Sequence, residues 1–567
     1  MGAASPGSGL AKGGALRGAL WSGSRSTAEP FDGPTGPAER KAERRSATSW
    51  SPVLGLVAGL VGLIAASFAL RLGDLGTSLW IDEGISVGVA SHRLAEIPGL
   101  LRQDGSPPLY YLLLHGWMAL FGTSETATHA LSLTIALATI PVALWAGWSL
   151  FGRRVGWTFA ALVAVSPYLA FFATETRMYA LLALLALVAT SSFLHVFAFG
   201  RRRHLAPFAV ALALVLYTHS WGLWLVVGLA TALVPCAVVA ADRRRLLRDA
   251  ALGFGAAGLA YLPWLPTLAY QRAHTGAPWS TRPLPREAVT VVAVVLGDNR
   301  ERVLVALLLV AGPALWVLVR RDDRLRPPLL AVGLIAAVPV VVGWLFAQVS
   351  PSWAPRYLAV CAPAVLLVAA LGLARAGTRG LVALALILTL WVQPLARVSG
   401  LRSVDHLDDK PQVTPLVKAV GPGLDAGDLV VVMQMEEVPV LAYYLPPGLR
   451  YATAMGPVAD PGVADWRDAL ARITAATPQT SLRPALDATP VGAKVLLICA
   501  QPWTGPKPVP WFTQMELRCG EWRGALQADA RFAPTPVVSG GAGADPVSDG
   551  SSRVAGRRVL AVTRIAS

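Results

Sequence analysis

Charge is the first scarcity. Only 15% of the 567 residues are Asp, Glu, Lys or Arg, where soluble domains carry about 25%. With 54% hydrophobic residues and a mean hydropathy of +0.52, an ordinary soluble enzyme is excluded, as is a disordered or collagen-like chain. Cysteine is scarce too. The four cysteines form no CxxC pair and have no histidine at zinc-finger spacing. Lysine is rare beside abundant Ala, Arg, Val, Gly and Pro, the usage of a high-GC bacterial genome. No repeat of 20 to 50 residues is visible, and no apolar core lies near Met1 to make a secretory signal.

What is present is a series of long apolar segments. They run near 52–70, 127–151, 155–173, 178–199, 205–219, 221–241, 250–270, 303–319, 328–348, 356–374 and 380–396. That predicts about eleven membrane spans, each near the length a bilayer demands. The formal net charge of +15 does not point to nucleic acid, because the arginines fall in short clusters between spans, where they fix orientation. The stretch 108–122 is short, opens with two prolines and holds His115. If it lies along the membrane surface, Arg153–Arg154, Arg201–Arg203, Arg243–Arg248, Arg320–Arg326 and Arg375–Arg379 all fall on the side of the basic N-terminus. That parity predicts a cytoplasmic N-terminus. It also gathers the loops 71–126, 174–177, 219–220, 271–302 and 349–355 on the outer face.

Three regions follow. Residues 1–48, rich in Gly, Ala, Ser and Arg, read as a disordered cytoplasmic tail. Residues 49–402 hold the spans and the long first outer loop 71–126. Residues 403–567 turn soluble in composition: 429–435, 494–500 and 558–565 read as strands, 464–476 as a helix and 539–552 as a flexible loop. A small extracytoplasmic α/β domain is expected there. Cys499 and Cys519 both lie in it, where oxidising conditions permit a bridge, while Cys236 and Cys361 lie in spans. Spacing leaves the bridge open.

The chemistry-bearing residues gather on the outer side. Asp82 and Glu83 are adjacent carboxylates soon after the first span, and Asp104 precedes Pro107–Pro108. The ordinary structural role for Asp82 is to cap a helix beginning at Glu83. Glu175, Arg177 and Tyr179 stand at a helix start, His219 between two spans, and Arg356 and Tyr357 at another span's outer end. Arg356 opposes both the positive-inside trend and the helix dipole, which marks it out from an arginine that merely snorkels.

In this order, LWIDEG, DGSPPLYYLLLHGW, FGTSETATHALSL, ETRMYALLAL, YTHSWGLWL and PRYLAVCAPAVLL resemble the polytopic GT-C glycosyltransferases. The nearest branch is the family 39-like group of protein O-mannosyltransferases and lipid A aminoarabinose transferases. The resemblance covers roughly 50–400. It implies an α-helical polytopic membrane protein that takes a mannose-like or arabinose-like sugar from a polyprenyl-phosphate donor on the outer face. The acceptor would be an envelope glycan, lipid or protein. The family's first-loop acid carries onto Asp82, with Glu83 beside it, and its second acid onto Asp104. Two positions depart from the family: Ser106 stands where many relatives have His, and His129-Ala130-Leu131-Ser132 where many have Arg-Leu-Pro-Ser.

The chemistry suits these residues. The acceptor hydroxyl needs a base, and the departing phosphate needs cations in a low-dielectric site; Arg356 and Arg177 are the candidates. Tyr179, His219 and Tyr357 would contact substrate. With no separate nucleophile, a single displacement would invert the anomeric carbon. The sequence identifies no cofactor; the three nearby acids could hold a divalent ion or work without one. A lipid or sugar transporter, or flippase, would instead show mid-span charges or paired broken helices. A non-catalytic envelope scaffold would use the outer domain to bind.

Overall fold

The computed structural model describes residues 51–566 other than 298, 398–412, 503–507, 537–543 and 547–550. The expected tail 1–48 and the boundary near 402–403 lie outside the described residues. The chain forms two compact units, Met1–Gly59 and Leu60–Ser567. Of the first, the described part is the start of the helix Ser51–Ala69. In the second, helices and a C-terminal sheet share one body.

Among the described residues, seven helical runs are long and apolar enough to cross a membrane: Val53–Asp74, Glu125–Phe151, Tyr179–Ala198, Gly222–Val239, Arg243–His274, Arg300–Arg321 and Arg326–Ala347. An eighth is the pair Arg153–Val165 and Pro167–Ala173, bent by 55°. Pro167 explains the bend. It donates no backbone hydrogen bond, and it pushes Ser166 out of helical geometry, to ψ 123°. Two of the remaining expected spans fold as shorter helices. Leu205–Thr218 and Ala362–Arg375 have 14 residues each. The described helix at the end of the helical region is Gly377–Arg397, apolar over Gly377–Gln393. Fourteen residues reach about 21 Å, short of a bilayer's core of about 30 Å. The ambiguous stretch is the 13-residue helix Leu109–Phe121, shorter still.

Tyr179–Phe193 is the helical core. It is buried nearly all round, and it packs against Glu125–Phe151 and Leu205–Thr218. A helix without a polar face must be enclosed by others.

The three expected strands form as β1 (Leu429–Val432), β4 (Lys494–Ile498) and β8 (Arg557–Arg564), and five unexpected ones join them: β2 (Arg450–Thr453), β3 (Gly456–Val458), β5 (Phe532–Pro534), β6 (Ala544–Pro546) and β7 (Ser552–Val554). The sheet order is β3-β2-β1-β4-β8-β7-β6, with β5 on β8. β1 pairs in parallel with both β2 and β4, and every other pair is antiparallel. β1 and the core of β4 are buried throughout, which is why LVVV and VLLI are unbroken apolar runs. The described ends of the expected loop 539–552 belong to β6 and β7. Cys499 and Cys519 are bridged, tying the end of β4 to the helix Pro510–Ala528. Cys236 and Cys361 are free and buried.

The helix expected over 464–476 begins only at Ala469. The preceding residues have other partners: Trp466 N–H donates to Gln103 O (3.1 Å) and Asp468 N–H to His274 O (2.7 Å). This segment straps the sheet domain to the helices.

Candidate active site

Asp82 and Glu83 open the helix Ile81–Ala90. The cap is not the expected one. Trp80 is the N-cap residue, and Glu83 reaches back to accept from Trp80 N–H (3.1 Å). Asp82 is therefore released from capping. Adjacent residues on a helix point about 100° apart, so the two carboxylates part company. Glu83 turns inward and is buried. Its Oε1 accepts from Thr176 N–H at 2.7 Å and lies 2.8 Å from His129 Nε2. His129 Nδ1 lies 2.9 Å from Leu75 O. Both ring nitrogens thus face oxygen atoms. His129 stands against the Glu83 carboxylate at the position where the family resemblance leads one to expect arginine.

Asp82 turns the other way, into a cavity of about 350 Å³. Its Oδ2 lies 3.8 Å from Arg177 Nη2 and 3.7 Å from Arg356 Nη2. These are ion-pair distances, too long for hydrogen bonds. Among the described residues this oxygen has no hydrogen-bond partner, nor have Nε of Arg177 or Arg356. Arg177 is held by Asp82 O (3.2 Å), Ser86 Oγ (3.2 Å) and Tyr111 Oη (3.3 Å). The turn carrying it is fixed at Thr176 by Glu83. Glu175, also in this turn, accepts from Trp80 Nε1 (2.9 Å). Arg356 sits in the 3-10 turn Pro355–Val360, its guanidinium 5.0 Å from the Trp279 ring centre and 5.7 Å from that of Tyr357.

Asp104 ends the helix Ile97–Asp104, before Gly105 at φ 100°, and also lines the cavity. Burial raises its carboxyl above the usual range, opposed by the Ser106 hydroxyl and by Arg177. Ser106, where relatives carry His, is thus Asp104's own partner. His219 Nδ1 accepts from Trp221 N–H (3.1 Å), so its Nε2 carries the proton. Burial, and then Arg177 and Arg356, lower its pKa to about 3. His219 is therefore a neutral donor. Its ring lies 4.8 Å from Tyr357 and 5.9 Å from Tyr179, and all three line the cavity.

The structure thus brings together Asp82, Asp104, Arg177, Arg356, Tyr179, His219 and Tyr357, and leaves Glu83 behind the wall. Among the described residues, no group of three or more His, Cys, Asp or Glu is arranged to hold a metal. Sequence reasoning did not find Gln271, Trp279 or Trp466, which also line the cavity. Trp279 lay in an outer loop already assigned to this side. Trp466 lay in a segment read as helix, and only the strap carries it here.

Two glycines let the sheet domain lie on the helix of Asp82. A Cβ at Gly84 would stand 2.5 Å from Val440 Cβ, and one at Gly88 would stand 2.2 Å from Gly462 O. The helix Val438–Tyr444 packs on this side, and His92 Nε2 meets Asp460 Oδ2 at 2.7 Å.

No sequence-family model and no curated protein matches the chain. Solved structures do. ArnT from Cupriavidus metallidurans in the apo state matches with a TM-score of 0.56 at 17% identity, over 91% of this chain and 98% of that one. The same protein bound to undecaprenyl phosphate gives 0.57 at 16% identity, over 90% and 98%. A mutant of the arabinofuranosyltransferase AftD from Mycobacteria gives 0.51 at 16%, over 90% of this chain but 41% of that one. At this identity the likeness is one of fold. The chain shares the fold of ArnT, and it combines apolar helices with a C-terminal sheet domain.

Proposed function

We propose that the chain is a membrane glycosyltransferase that moves a sugar from a polyprenyl-phosphate donor to an acceptor hydroxyl. The observation that carries this reading is Asp82 Oδ2, left without a hydrogen bond between two guanidiniums in the cavity. In this reading Asp82 takes the acceptor's proton. The acceptor oxygen bonds to the anomeric carbon as the bond to phosphate breaks, and the polyprenyl phosphate leaves with the electron pair. Arg356 and Arg177 hold that phosphate in a water-poor site, where such contacts act most strongly. Asp104 and Ser106 orient the acceptor, and neutral His219 donates from Nε2. Glu83 acts at one remove, by fixing the turn that carries Arg177. A single displacement inverts the anomeric carbon.

The fold supports the donor class, since ArnT is described bound to undecaprenyl phosphate. A mannose-like or arabinose-like sugar and an envelope glycan, lipid or protein acceptor remain part of the proposal. So do the regions 1–48, 49–402 and 403–567, the cytoplasmic N-terminus and the outer C-terminal domain. The test incubates purified protein with labelled mannosyl and arabinosyl polyprenyl phosphates and envelope extract. Label in a non-prenyl product is expected. Donor movement across proteoliposomes without any new glycoside would instead indicate a transporter.

A further inference from the structure

At the other end of the helices lies a second cavity, of about 520 Å³. Its position follows from two helices. Arg326–Ala347 carries Phe346 at the catalytic cavity and begins beside Arg321; its 22 residues span about 33 Å. Ala362–Arg375 starts just after Arg356 and ends at Arg375. The second cavity thus lies at the opposite ends of these two helices from the first.

Local structure makes the cleft. Residues Leu307–Ala311 form a π turn, followed by Gly312–Pro313. Such turns are rare and widen a helix locally, often at functional positions. At Ala311 the two walls touch: a Cβ on Gly372 would stand 2.6 Å from Ala311 Cβ. Beyond that contact they part into an open cleft lined by Leu309, Val310, Pro313 and Val317. Leu309 is 72% exposed and Val317 47%. The mouth carries Arg321, Arg375 and Arg379.

These arginines differ from their neighbours. Arg320 stacks on Trp316 (4.2 Å), and Arg326 pairs with Asp323 (3.0 Å) and donates to Val319 O (2.6 Å). Arg321, Arg375 and Arg379 pair with no carboxylate among the described residues. The one acid at the mouth, Asp322, has Oδ1 occupied by the backbone N–H groups of Arg324 and Leu325 (3.0 Å each). Three unmatched cations above an apolar floor complement a phosphate that carries a hydrocarbon chain.

We propose that this cleft binds an anionic phospholipid, with its headgroup phosphate on Arg321, Arg375 and Arg379 and an acyl chain along Leu309 and Val317. The site is separate from the transferase reading and needs only the membrane placement of the helices.

The full-length protein is placed in nanodiscs of phosphatidylcholine doped with phosphatidylglycerol, and bound lipid is read by native mass spectrometry. Wild type should retain phosphatidylglycerol over phosphatidylcholine. The triple variant Arg321→Gln, Arg375→Gln, Arg379→Gln should reduce that preference roughly tenfold. Changing Arg243→Gln and Arg244→Gln, charges outside the cleft, should leave it intact. If the triple variant misfolds, Leu309→Trp serves instead: it fills the floor without altering charge and should also release the lipid. Unchanged preference in the triple variant or in Leu309→Trp overturns the proposal. So does displacement of the lipid by millimolar inorganic phosphate, which would mark a site for free anion.

Discussion

Buried charge is handled in opposite ways by the two halves of this molecule. In the sheet domain, Arg557 Nη2 meets Glu437 Oε1 at 2.5 Å with both side chains fully enclosed. Arg518 donates to Ile473 O (3.1 Å) and Thr474 O (2.9 Å). In the cavity between the helices, Asp82 stands 3.7 and 3.8 Å from its two arginines. A closely hydrogen-bonded buried pair recovers part of its desolvation cost, and removing one partner leaves the other charge buried and uncompensated. A loosely held one keeps donor and acceptor capacity for something that is not yet bound. Charge in the sheet holds shape, whereas charge in the cavity is the part that the proposed function employs.

The sharpest break of that contrast is Asp82→Asn. It keeps shape and, since Asp82 is not the cap, should leave folding intact, while turnover falls by roughly 10²–10⁴. A well-folded variant with normal transfer would move the base to Asp104. In the sheet domain Arg557→Met should do the reverse. Leaving Glu437 buried without its partner costs about 3–5 kcal/mol, read as lost hydrogen-exchange protection of β1, β4 and β8. Protein that remains folded should keep its rate per molecule. Arg356→Ala should lower turnover by roughly 10²–10³, as removal of one transition-state donor does, with a weakened response to donor concentration in initial-rate assays.

The smallest effect concerns the sheet domain's exception. Glu436 accepts from Trp511 Nε1 (3.2 Å) and Gln434 Nε2 (3.2 Å), but its Oε2 has no hydrogen-bond partner among the described residues. Burial, above all, raises its pKa from 4.5 to about 7. The folded form holds a proton that the unfolded form has lost between these values, so stability declines as pH rises through this window and levels off above it. Glu436→Gln should be silent near pH 4.5. By pH 8 it should strengthen exchange protection of the sheet by up to about 3 kcal/mol. Equal protection of the two proteins at both pH values would remove Glu436 from the account.

Much of this was legible because it rests on local chemistry. Bilayer-length apolar runs specify helices wherever they occur, and the unbroken LVVV and VLLI runs specify buried strands. Asp82, Arg177 and Arg356 could be picked out because charge beside apolar spans is rare. The division of labour between Asp82 and Glu83 could not, since it depends on which of them satisfies Trp80 N–H. Nor could Trp466, whose segment has helical pattern but gives its backbone groups to Gln103 and His274.

The sequence by itself determined the helical membrane character, the sheet at the C-terminal end and the set of polar residues shared by one face, because periodicity, length and charge act over short stretches of chain. Tertiary structure alone decided that Glu83 faces His129 while Asp82 faces the arginines. It alone decided that Gly84 and Gly88 let the sheet domain rest on the helix of Asp82, and that Arg321, Arg375 and Arg379 meet over one cleft. Each of these joins residues distant in sequence, and the direction a side chain takes there is set by neighbours that no local pattern encodes.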